Sequence, residues 1–176
     1  PVTDAASIAS AVADLANAGN KNVVVTVANN MDNTSGIKTA KGNTLTMDLN
    51  GKSVGVSYGQ GSTNTTTNGM QLLQGSTVTL KNGTYKANQG GDPNRNIAIL
   101  IQNYSNLTIE DCTVNAIGKY SISGRINNTN ILNSLTIRNA IVKAESEWGS
   151  IVNIRELTLS GSTFTSPATA TFNKSK

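Results

Sequence analysis

The feature that most constrains this chain is an eight-residue phrase that returns five times, at residues 47–54, 78–85, 107–114, 135–142 and 157–164. The copies align without gaps, and their starts lie 31, 29, 28 and 22 residues apart. In each copy the first and third positions are apolar, the second is polar and the eighth is apolar. On a strand that pattern turns the first and third side chains one way and the second the other way. The fifth position holds Gly51, Asn82, Asp111, Asn139 or Gly161. These residue types accept a left-handed backbone, so every copy is expected to bend at the same place. A second apolar strip precedes each later copy, at residues 70–73, 97–101, 121–123 and 150–154.

A repeat of this length supplies about three short strands, too little to bury its own apolar face, so its core must come from stacking on its neighbours. The expected fold is all-β, a right-handed parallel β-helix (solenoid) of about five to six coils, roughly 25 to 30 Å tall at the inter-strand spacing. The alignment places Leu49, Leu80, Ile109, Ile137 and Leu159 in one buried interior ladder. Thr79, Thr108, Thr136 and Thr158 form the exterior ladder, in which Asp48 takes the first place. Ahead of the repeats, Ile8, Val12 and Leu15 fall on one face of an amphipathic helix over residues 4–18. Thr3 or Asp4 can cap its start, Gly19 stops it, and the β-branched run at residues 23–27 follows as a buried strand. The chain reads as one domain, with a capping helix in residues 1–19, coils in 20–166 and a tail in 167–176. The tail either folds over the last coil or exchanges contacts with another subunit.

Composition narrows the chemistry. Histidine is absent, which removes the commonest general base, the Ser-His and Cys-His nucleophiles and the usual zinc ligand sets. Cys112 is the single cysteine, so no internal disulfide forms, and without a histidine its expected role is packing. The net charge of +4 is spread along the chain without a basic block or basic-aromatic stripe, which argues against nucleic-acid binding. No apolar run reaches the roughly 20 residues that cross a bilayer, and no basic-then-apolar block opens the chain. The expectation is a product made in the cytoplasm, its start methionine trimmed before Pro1.

With these residues the sequence resembles the pectate-lyase-like right-handed β-helix superfamily, most of all its phage members. The helix of residues 4–15 followed by Gly19 and the 23–27 strand looks like the N-terminal cap and first strand of phage tailspikes and head fibres. Residues 44–54 are similar to a coil found in many phage virion and bacterial surface proteins. The resemblance implies a fold and no single activity, since the superfamily holds lyases, hydrolases, adhesins and inert structural proteins. It also implies a homotrimer whose threefold axis runs along the rods.

Candidate sites are sparse. Lyases of this fold hold calcium with clustered acids, and its hydrolases bring aspartates together on adjacent coils. Here the Asp48 position is followed by threonines, so no acidic stack is expected, and Glu110 and Asp111 fall on an exposed position and a bend. Glu145, Glu147 and Trp148, with Arg125 and Arg155 on adjoining coils, are the candidate saccharide or partner contact; the plainer reading is a polar turn with Trp148 packed on its own coil or at a subunit interface. Two loops, residues 59–69 and 88–96, should emerge at one corner, as solvated loops or as a contact surface presenting Gln60, Asn64, Thr66, Asn68, Asp92 and Arg95. No catalytic residue, cofactor or metal site is expected. The leading expectation is a non-enzymatic structural protein of a tailed-phage virion, located in the virion as a head fibre, capsid decoration or tail-associated protein, with partners in itself and in capsid or tail proteins. The alternatives are a glycan-binding or depolymerising tailspike that contacts host surface glycan, and a bacterial surface adhesin domain.

Overall fold

The computed structural model describes residues 1–61, 66–88, 97–117, 120–124, 133–145 and 151–166. A short helix, α1 (Ala5–Val12), runs into a tight 3-10 turn at Ala13–Ala16. It is shorter than the expected span of 4–18. Asp4, not Thr3, caps it: Ser7 N donates to Asp4 Oδ1 at 2.8 Å, and Asp4 N donates back to Ser7 Oγ at 3.1 Å. The two bonds satisfy orphan amides at both residues, which is the reciprocal arrangement of a capping box. Ile8, Val12 and Leu15 are buried, as their spacing predicts. The helix end is tied to the first repeat where Ala40 N donates to Leu15 O at 2.8 Å.

Among the described residues fifteen strands follow, and every pairing between them is parallel. The larger sheet has a first row of β1 (Asn22–Thr26), β4 (Thr44–Asp48), β7 (Thr77–Ala87), β9 (Asn106–Ala116), β11 (Ser134–Arg138) and β14 (Glu156–Ser160), hydrogen-bonded in that order. Beyond the bend it continues through β2 (Met31–Ser35), β5 (Ser53–Tyr58), the second halves of β7 and β9, β12 (Ile141–Ala144) and β15 (Thr163–Thr165). The smaller sheet stacks β3 (Ile37–Thr39), β6 (Asn68–Leu72), β8 (Ile99–Asn103), β10 (Tyr120–Ser123) and β13 (Ile151–Val152). Each repeat gives one strand to each row, and each strand pairs only with its counterparts one repeat earlier and one repeat later. The fold is therefore mostly β with parallel sheets, and the second apolar strips of the sequence are the smaller sheet.

The expected bends are present. Asn82, Asp111, Asn139 and Gly161 have positive φ of 59°, 49°, 46° and 57°. Because they occupy one position in successive repeats, the strands before and after the bend stay in register from β7 to β15. The first repeat departs from the alignment. Met47 pairs with Leu80 rather than Val78, and Leu45 takes the place opposite Val78. Ser53 still pairs with Thr84, so the chain takes six steps from Met47 to Ser53 where the next repeat takes four from Leu80 to Thr84. The two extra residues widen the corner, with Asn50 and Gly51 both at positive φ. Leu49 leaves the ladder and packs over Gly83, where an added Cβ would lie 2.6 Å from the Leu49 Cβ and 2.5 Å from the Lys52 carbonyl oxygen. Glycine is the residue that leaves this space.

The interior ladder is Val25, Met47, Leu80, Ile109, Ile137 and Leu159. All but the last are buried. Leu159 is 37% exposed and Leu157 is 40% exposed, against the expectation of burial, because among the described residues no further strand pairs with β14. The opposite end is covered by α1 and by Val2, whose amide donates to Thr26 O at 2.8 Å. The corner leading into the first row holds buried polar residues, Asn43, Ser76, Ser105 and Asn133. Asn43 Nδ2 donates to Asn17 O at 2.7 Å while its Oδ1 accepts from Lys21 N at 3.1 Å. Asn133 does the same three corners further on, donating to Asn103 O at 2.9 Å and accepting from Arg155 N at 2.9 Å. These side chains satisfy backbone groups that the turn withdraws from the sheets.

Two measurements check this packing. Ile109→Ala, in the middle of the ladder, is expected to lower stability by about 2 to 5 kcal/mol through the cavity it leaves, whereas Leu159→Ala should cost no more than about 1 to 2 kcal/mol because less apolar surface is buried there. Urea unfolding of the two variants reads the difference. At the bend, Asn139→Gly should be tolerated while Asn139→Val loses roughly 1 to 2 kcal/mol, since only the glycine accepts the left-handed backbone freely.

Candidate functional site

Of the expected saccharide cluster, Glu147, Trp148 and Arg125 lie outside the described residues. Glu145 is exposed just after β12, its amide donating to Ala116 O at 3.1 Å, and Arg155 is exposed just before β14. Of the loop residues, Asn64, Asp92 and Arg95 also lie outside the described residues. Thr66 is exposed. Gln60 and Asn68 are pinned together in an antiparallel bridge by backbone bonds of 2.7 and 2.9 Å. Asn68 opens β6 and is only 4% exposed, so it belongs to the sheet and offers no loop contact.

Cys112 is 4% exposed, packed in the bend between repeats. Burial pushes its thiol up to about 12, against which the backbone hydrogen bonds from Gly83 and Tyr85 act in the lowering direction. A thiol held neutral in an apolar setting is no nucleophile at ordinary pH. Tyr85 is fully buried in the column Val54, Tyr85, Val114 and Val142, and its hydroxyl is the one buried side-chain polar atom without a partner among the described residues. Burial raises its pKa as well. Neither group faces solvent.

The surface that gathers polar side chains is the outward face of the first row. Register sets its residues in three columns that run across successive strands. One runs Thr44, Thr77, Asn106, Ser134, Glu156. The middle one runs Thr46, Thr79, Thr108, Thr136, Thr158. The third runs Asp48, Lys81, Glu110, Arg138, so Asp48 stands opposite Lys81 and not in the threonine ladder. Its signs alternate along the stack. Lys81 Nζ lies 3.7 Å from Asp48 Oδ2, and Arg138 Nη1 lies 3.6 Å from Glu110 Oε2. These side chains keep 25% to 55% of their surface exposed, so each pair contributes at most about 1 kcal/mol to the fold. Sequence reasoning missed this column because the first repeat was set two residues out of register. Its signal was the alternation of charge at residues 81, 110 and 138, the fourth position of the phrase.

Among the described residues, no group of three or more His, Cys, Asp or Glu is placed to hold a metal ion, and no helix is long and apolar enough to cross a membrane. Set against family models, curated proteins and solved structures, the chain finds no match in any of the three. The outward face of the first row presents hydroxyls at regular spacing flanked by paired charges.

The thiol supplies a direct check. Native protein at neutral pH should react with a maleimide far more slowly than denatured protein, and mass spectrometry follows the adduct. Because the folded pKa lies above the ordinary value of 9.0, the contribution of the neutral thiol to stability is complete below pH 9 and declines as pH rises toward about 12. Urea midpoints across that window should fall less for Cys112→Ala than for the native chain.

Proposed function

We propose that the chain is a non-enzymatic structural subunit of a tailed-phage virion, of the head-fibre, capsid-decoration or tail-associated kind, built as one right-handed parallel β-helix of about five to six coils. The observation that carries the reading is the unbroken parallel register of the first row from Asn22 to Ser160. A chain that passes repeatedly through the same rows in one direction advances by one strand per repeat, and parallel crossovers of this kind are right-handed. What supports a structural role is where the polar groups lie. Asn and Ser side chains hold corners, the cysteine is buried, and the charges of the column Asp48, Lys81, Glu110 and Arg138 are paired with one another. The likeness of residues 4–27 to the cap and first strand of phage tailspikes and head fibres supports the virion setting, and that of residues 44–54 to a coil of phage virion and bacterial surface proteins is compatible with it. Its partners on this reading are copies of itself and capsid or tail proteins.

Mass spectrometry of purified particles from a strain that carries the gene tests the reading. The protein should be present in stoichiometric copies that persist through density-gradient purification, and host polysaccharides incubated with it should yield no new reducing ends. Absence from the particles, or turnover lost on Glu145→Ala with the fold intact, would overturn it in favour of an adhesin or a depolymerase.

A further inference from the structure

We infer that the outward face of the first row is a self-docking surface, on which a second copy of the chain packs face to face about a two-fold axis lying along the strands between β7 and β9. This inference rests on the register and the order of charges, and it departs from the homotrimer that the resemblance implies.

The order of charges carries it. Six strands make up the row, so its midpoint falls between Lys81 on β7 and Glu110 on β9. A two-fold through that point, parallel to the strands, reverses the order of strands and keeps each column over itself. Lys81 then meets the partner's Glu110, and Asp48 meets the partner's Arg138. Each contact occurs twice, and no like charges are brought together. The other columns match as well: Thr79 meets the partner's Thr108, Thr46 the partner's Thr136, and the exposed Val24, 68% accessible, meets the partner's Thr158. A two-fold running along the stack instead lays the charged column over the neutral one of Thr44, Thr77, Asn106 and Ser134, and pairs no charges. Alternation of sign about a central point is the self-complementary pattern that an isologous contact requires.

The size of the face sets the strength. Six strands at about 4.8 Å and five residues at about 3.3 Å give roughly 475 Å² per copy, which is below the size of tight complexes. The dimer should therefore be weak, with a Kd between about 1 µM and 1 mM at low salt, and should dissociate as salt screens the four charge contacts.

Analytical ultracentrifugation of the full chain up to about 1 mM in low-salt and high-salt buffer is the test. The expected result is a salt-sensitive dimer, weakened about tenfold or more by Lys81→Glu and restored by the exchange Lys81→Glu with Glu110→Lys. Circular dichroism confirms that each variant is folded. A second measurement does not depend on the charges. Thr46→Cys combined with Thr136→Cys should be joined between chains by a bismaleimide spanning less than about 10 Å, because these positions face each other only in the proposed dimer, while Thr46→Cys alone should not be joined. A monomer throughout the range, a trimer, a salt-insensitive dimer or efficient linkage of the single Thr46→Cys variant would overturn the inference.

Discussion

Everything in this molecule depends on backbone hydrogen bonding between one repeat and the next. Among the described residues no strand has a hairpin partner; both edges of an inner strand are satisfied by the same segment one repeat away. Register therefore cannot be set by a tight turn, as in an antiparallel sheet, and must be reset at every corner. Asn82, Asp111, Asn139 and Gly161 reset it with a left-handed backbone at one place. Asn43, Ser76 and Asn133 hold the corner that leads into the first row by binding backbone amides and carbonyls that the turn leaves outside the sheets, and at Ser105 the amide and the hydroxyl both donate to Asn103 Oδ1. The abundance of asparagine and serine in a chain with few charges follows from that requirement.

The same constraint explains which parts of the fold were legible. The Leu80, Ile109 and Ile137 ladder could be read directly, because equal spacing from apolar pair to bend recurs in those repeats. The first repeat could not, because Leu45-Thr46-Met47 and Met47-Asp48-Leu49 alternate equally well, and a slip of two residues leaves every side chain on its proper face. Only the pairing partners distinguish the two registers, and the widened corner at Asn50 and Gly51 absorbs the difference. Leu159 was misjudged for another reason: a ladder position is buried by the repeats on both sides, and β14 has a neighbour on one side alone among the described residues. The Gln60–Asn68 bridge carries no sequence pattern at all, since backbone groups make it.

Register also turns isolated residues into surfaces. Asp48, Lys81, Glu110 and Arg138 lie 33, 29 and 28 positions apart in sequence, yet stand on successive strands as one column of alternating sign. No single repeat contains the pattern. It exists only in the register that sets Asp48 opposite Lys81. The column stabilises the chain little on its own, as exposed pairs do. Its symmetry about the middle of the row is what gives it meaning for a second copy.

The central claim, parallel stacking with Leu80 over Ile109 over Ile137, is tested most directly by nuclear Overhauser contacts in the isotope-labelled protein in solution. The account predicts a relay of amide-to-Hα contacts linking Leu80 with Ile109 and Ile109 with Ile137, and linking Met47 rather than Leu49 with Leu80. Close Hα-to-Hα contacts between these strands, which antiparallel pairing produces, or a relay running through Leu49, would contradict it.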